Sequence, residues 1–222
     1  MKYVIGNWKM NGDAKKKAEF RAILSDKVII CVPFHLLATG FGAQDCSASE
    51  DGAHTGEVSA KMIADAGARA CIVGHSERRR AFNETNEIVA KKASRCLDAG
   101  LIPIICVGEM EKGAPLASVE DQVWQSIPKA DTIKGEIIVA YEPVWAIGTG
   151  LTPTPADIER VHAAIAKILD SLGLGGTAIL YGGSVNAVNA AEIMALKNVG
   201  GVLVGGASLE IDQFKEIINA GK

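Results

Sequence analysis

The feature that most constrains this chain is an alternation. A short, continuous apolar run rich in β-branched residues leads into a turn, then into a stretch with helical spacing, and the unit repeats. Seven such runs are clear, at residues 3–6, 28–32, 70–73, 102–107, 137–141, 178–181 and 202–204, and an eighth, weaker one at 40–44 is placed by spacing. Runs without polar alternation suit parallel strands buried on both faces. Spread over eight units, 222 residues give about 28 per unit, the size of one right-handed βαβ repeat. The segments between carry helix signals. Thr154-Pro155-Ala156-Asp157 offers an N-cap, a proline at the first helical position and an acid at the third, and Ile158, Val161, Ile165, Ile168 and Leu169 then share one face. Thr85 opens a helix that Gly100 closes, and Asn189 with Glu192 repeats the start signal. The pattern predicts one α/β domain over residues 1–222, a (β/α)8 barrel near the short end of its size range. An open doubly wound sheet is the alternative, but no Gly-x-Gly-x-x-Gly follows the first strand.

Composition narrows the partners. The net charge is −3 and basic residues are spread along the chain, which argues against nucleic acid or an anionic membrane surface. Two basic runs, Lys15 to Lys17 and Arg78 to Arg80, read as solvated helix faces, the arginines less firmly because they follow a histidine. Five cysteines, at 31, 46, 71, 96 and 106, form no Cys-x-x-Cys pair, so the expectation is neither a disulfide framework nor a metal site. Cys31, Cys71 and Cys106 read as small buried hydrophobes. The first ten residues lack the apolar stretch and cleavage site of a leader, and no run approaches the ~18–20 apolar residues of a membrane span. A soluble, cytoplasmic protein is expected.

In a barrel of this kind chemistry sits where strands end. Glu142 closes the sixth strand and precedes an apolar, glycine-rich loop that reads as a lid, so it is the candidate general base. His75 leaves the fourth strand for a helix whose backbone N–H groups and positive dipole end favour a neutral imidazole. Asn7 and Lys9 follow the first strand two residues apart, which on extended backbone sends both to one side. Gly182-Gly183-Ser184 and Gly205-Gly206 end the last two strands, where bare backbone N–H groups can hold a phosphate.

Five segments carry a resemblance to a known family. They are Gly6-Asn7-Trp8-Lys9-Met10-Asn11-Gly12, Gly74-His75-Ser76-Glu77-Arg78-Arg79, the stretch from Ala140 through Glu142 to Gly150, Tyr181-Gly182-Gly183-Ser184-Val185 and Leu203-Val204-Gly205-Gly206-Ala207-Ser208. In this order they resemble triosephosphate isomerase nearly end to end. The resemblance implies a TIM barrel acting without a cofactor or metal on dihydroxyacetone phosphate and glyceraldehyde 3-phosphate, within glycolysis and gluconeogenesis. It implies Glu142 as the base, His75 as the proton shuttle, Lys9 as the charge that stabilises substrate and intermediate, and Asn7 as an orienting amide. Glu77 is implied as the acid beside Lys9, and Gly148, Ser184, Gly205 and Gly206 as the phosphate cradle. The stretch from Gly52 to Ser59 resembles the family's dimer loop, which implies a homodimer with Thr55 near the neighbour's Lys9.

Departures accompany the match. The chain is short around its first two helices, so a compact barrel with shortened early helices is expected. Gln44-Asp45 stands where members often have Gln-Asn, and Ala166 and Gly200 stand where members often carry an Arg–Asp pair. Two other readings compete. An aldolase or synthase barrel would need a Schiff-base lysine in a late strand, and none is present. A catalytically silent phosphate-binding scaffold would be suggested by loss of Lys9, His75 or Glu142, all of which are here.

Overall fold

A computed structural model of the chain describes residues 1–147 and 151–222. Eight parallel strands close into a barrel in chain order, each hydrogen-bonded to the next and β8 back to β1. They are β1 (Tyr3–Asn7), β2 (Val28–Val32), β3 (Gly42–Ala43), β4 (Ala70–Val73), β5 (Ile102–Glu109), β6 (Ile138–Pro143), β7 (Ala178–Tyr181) and β8 (Gly201–Val204). Because every strand runs the same way, all eight carboxyl ends open on one mouth. The expected barrel is therefore found, with no open edge.

The continuous apolar runs are explained by two cores. Alternate residues point inward, where Ile5, Ile29, Ile72, Ile104, Ile138 and Leu180 fill the barrel. Their neighbours Val4, Ile30, Val73, Ile105 and Val139 point outward and pack beneath the helices. A strand buried on both faces has no polar position to spare.

The helical shell is uneven, and thinnest early. After β1 comes α1 (Ala14–Phe20), and after β2 a single 3-10 turn at Phe34–Leu36 replaces a full helix. Next come α2 (Ala60–Asp65), then α3 (Ser76–Phe82) and α4 (Asn86–Asp98) in tandem after β4, and α5 (Leu116–Ser126). The last three are α6 (Pro155–Ser171), α7 (Ala190–Ala195) and α8 (Ile211–Ala220). The early shortening expected from sequence is thus real. Beneath α1, the Trp8 ring packs edge-on against Phe20 and its Nε1 donates to Ser208 O at 2.9 Å.

Of the three helix starts expected from sequence, two carry their cap bonds. Thr154 Oγ1 accepts from Asp157 N and Thr85 Oγ1 from Ile88 N, as expected. Asn189 stands at the N-cap of α7 but makes no cap bond. Its side chain instead accepts from Asn186 N and donates to Ser184 O, so it braces the loop after β7. The arginine run is likewise not a solvated face. Arg79 turns inward and donates to Gly74 O, Asn86 Oδ1, Cys106 O and Ser126 Oγ, tying β4, α4, β5 and α5 together. Arg78 pairs with Asp45 and Glu84, and of the three arginines Arg80 alone is exposed. Among the described residues no helix is long and apolar enough to cross a membrane.

Candidate functional site

Each polar side chain at the mouth is positioned by its strand end. β6 delivers Glu142, which is 2% exposed, and β4 delivers His75, which is 6% exposed and caps α3. The His75 Nδ1 accepts the Glu77 backbone N–H at 3.3 Å, so the ring proton lies on Nε2. Nε2 then donates to Glu142 Oε1 at 2.9 Å. The other carboxylate oxygen accepts from Ser76 N at 2.9 Å, at the start of α3, where N–H groups are free for an anion. A buried carboxylate with this set of donors is hydrogen-bonded rather than orphaned.

Lys9 reaches the same space by a route that the two-residue spacing did not predict. β1 ends at Asn7, and Lys9 lies in the left-handed region at φ 53°, not on extended backbone. Asn7 Oδ1 accepts from Lys9 N at 3.0 Å and holds that strained turn. The conformation lets Trp8 turn into the core while Lys9 turns to the mouth. Its ammonium sits 2.6 Å from Glu77 Oε1. Partial burial opposes the Glu77 charge, but the Lys9 hydrogen bond and field outweigh it and hold the carboxyl below its usual value.

The loops after β7 and β8 form the opposite wall. A Cβ on Gly183 would collide with the Tyr181 hydroxyl and lie 3.0 Å from Pro143 Cγ. Glycine is therefore required there by space. Gly206 meets nothing within 4 Å in that direction and faces open room. Ser184 Oγ donates to Ala146 O at 3.0 Å, linking this wall to the loop after β6. Together Asn7, Lys9, His75, Glu142, Ile147, Ser184, Gly205 and Gly206 line one cleft of about 210 Å³. Gly148, the remaining phosphate candidate, lies outside the described residues. Thr55 is exposed, away from this cleft, in the loop before α2.

Two further residues set this geometry, and sequence reasoning missed the first of them. Gly108 on β5 pairs in register with Glu142, and a Cβ there would overlap the Glu142 carbonyl. Buried Glu109 accepts from Trp145 Nε1 at 3.4 Å and so fixes the loop that follows Glu142. Glycine in a strand interior was the available signal for the first, since it marks close backbone approach.

An acidic oxygen and an imidazole N–H thus share a hydrogen bond in a glycine-walled cleft, with a lysine ammonium on the same rim. The arrangement can take a proton beside a carbonyl, donate one to that carbonyl and hold an anion.

The comparisons with known proteins agree with one another. A family model described as triosephosphate isomerase matches residues 2–221. The triosephosphate isomerase of Bradyrhizobium sp. strain BTAi1 is 47% identical over 241 aligned positions, covering 96% of this chain and 95% of that one. That of Xanthobacter flavus is 45% identical and covers 98% of this chain and 96% of its own. In three dimensions the chain superposes on the crystal structure of triosephosphate isomerase from Bartonella henselae with a TM-score of 0.86. That match has 37% identity and covers 99% of this chain and 98% of the other.

Proposed function

The chain belongs to the triosephosphate isomerase family, and on that premise we propose that it interconverts dihydroxyacetone phosphate and D-glyceraldehyde 3-phosphate with Glu142, His75 and Lys9 as its catalytic groups. The observation that carries the assignment of roles is the Glu142–His75 hydrogen bond facing the Lys9 ammonium across a glycine-walled cleft.

The steps follow from the bonding. The substrate carbonyl oxygen takes the Nε2–H that Glu142 now accepts, which frees a carboxylate oxygen to face C1. Glu142 removes a proton from C1, and the electron pair of that C–H bond moves to form the enediolate. Lys9 and the His75 N–H meet the charge on its two oxygens, where fixed donors lower the barrier most. His75 gives its Nε2 proton to one oxygen and takes one from the other, while Glu142 returns its proton to C2. Asn7 keeps Lys9 in its turn and orients the oxygens. The phosphate is held by backbone N–H groups of Ser184, Gly205 and Gly206, with Gly148 joining from the loop after β6. Glu77 positions Lys9.

The working unit is the single barrel domain of residues 1–222, acting as a homodimer. Supporting this, a groove of about 380 Å³ beside the cleft is lined by Asn7, Lys9, Met10, Phe34, Gln44, Glu77 and Phe82, among others. Met10 is 95% exposed and Phe82 63% exposed, more apolar surface than a lone barrel needs at its active rim. In the proposed dimer this groove receives the second copy's loop carrying Thr55. The test of the whole reading is isomerisation of glyceraldehyde 3-phosphate coupled to NADH oxidation, run on the wild type and Glu142→Ala. Turnover that falls by about 10³-fold or more in the variant is expected. A folded wild type without turnover would sink the assignment.

A further inference from the structure

Three of the five cysteines converge at a point that the isomerase chemistry does not use. Cys46 lies just beyond β3, Cys71 on β4 and Cys96 on α4, all within the outer core. Their Sγ atoms lie within 4.8 Å of one another, and all three residues are buried. The sulfurs of Cys46 and Cys96 are 3.6 Å apart, and Cys46 Sγ also reaches the Lys92 carbonyl at 3.8 Å. The other two thiols, Cys31 and Cys106, belong to the separate core inside the barrel. Motif spacing missed the cluster because its members come from three different elements, far apart in sequence.

These are three soft donors aimed at one point. Among the described residues no fourth Cys, His, Asp or Glu joins the group. Zn²⁺ in a structural site takes four ligands, whereas thiolates select Cu(I), which is satisfied by fewer. Sulfurs about 2.3 Å from a central ion in a plane would stand about 4 Å apart. The Cys46–Cys96 separation of 3.6 Å and the 4.8 Å limit on all three lie either side of that value, so closure onto an ion needs shifts of less than about 1 Å. Beside the cluster, Lys92 and Arg78 pair with Asp45 and Glu84.

We propose that Cys46, Cys71 and Cys96 form a trigonal site for the soft monovalent ion Cu(I), set in the outer wall of the barrel. Binding forms three Cu–S bonds, releases the thiol protons to solvent and moves no electrons between sulfur and copper. The site is enclosed, so loading follows local opening of α4 over β4 and is slow.

The test uses anaerobic, fully reduced protein and Cu(I) presented as its bicinchoninate complex, both to the folded chain and during refolding. One copper per chain withheld from the chelator is expected, with affinity about 100-fold or more lower in Cys71→Ala and in Cys96→Ala. Cys31→Ala should load like the wild type. X-ray absorption of the loaded wild type should give three sulfurs at one distance, a readout that does not depend on any variant folding. No retained copper, copper retained equally by Cys71→Ala and Cys96→Ala, or fewer than three sulfurs around it would overturn the proposal.

Discussion

Gly108→Ala tests whether β5 sets the position of the proposed base. Gly108 lies opposite Glu142 in the β5–β6 register. A Cβ at that position would overlap Glu142 O, lie 2.9 Å from its carbonyl carbon and 3.1 Å from its Cβ, where ordinary contact begins at 3.4 Å. The clash is with backbone at the end of a barrel strand, so no rotamer change relieves it. β6 must withdraw by about 1 Å, and overpacking of that kind costs roughly 1–3 kcal/mol of stability. The same shift moves the Glu142 carboxylate relative to His75 and the glycine wall. Misplacement of a reacting group by ~1 Å costs about 100-fold in rate. The coupled isomerase assay should therefore show kcat reduced about 100-fold, with KM changed far less because the phosphate loops stay in place. Gly135→Ala, whose added Cβ meets only Leu97 at an ordinary 3.7 Å, serves as the control and should match the wild type. A folded Gly108→Ala enzyme with kcat within twofold of wild type would refute the argument that this glycine positions the base.

Three further outcomes follow from the same geometry. Arg79→Met removes a guanidinium that donates to Gly74 O, Cys106 O, Asn86 and Ser126, so four hydrogen bonds from a charged donor are lost together; a loss of about 3 kcal/mol, read as a Tm lower by about 6–12 °C, is expected. Asp45 is pushed from 3.8 up to about 6, because burial outweighs the pull of Lys92 and Arg78. The folded chain therefore binds the extra proton, and the stability it gains is full below pH ~4 and lost as pH rises through about 6. That step amounts to ~3 kcal/mol, and urea melts should show it as a difference between wild type and Asp45→Asn that changes across this window. Lys9→Met should lower kcat/KM by about 100–1000-fold at unchanged Tm, since it removes a charge aimed at the developing anion.

Most of the fold was legible because parallel strands buried on both faces leave unbroken apolar runs, seven of them clear in the sequence. β3 was the exception. Only Gly42 and Ala43 pair fully, which is too short for periodicity to register. The mouth residues stood out because a buried strand seldom ends in Glu, His or Lys without reason. What stayed hidden depends on contacts between distant segments. Arg79 sits in an exposed-looking run yet spans four elements, and Asn189 exchanges a helix cap for a brace on Ser184. The turn at Lys9 needs a left-handed backbone that residue type alone does not announce. The three converging thiols are the plainest case, since nothing local in the chain links them.

The central claim is proton transfer by Glu142 through an enediolate, and solvent exchange tests it most directly. Glyceraldehyde 3-phosphate is isomerised in D₂O by wild type and by Glu142→Gln, and the product is read by NMR. Deuterium on the carbon that receives the proton is predicted for the wild type, because a carboxyl proton exchanges with water during the enediolate's lifetime. Loss of turnover is predicted for the variant. Full turnover with no deuterium in the product would mean that hydrogen moves directly between the carbons, and the account of this site would be wrong.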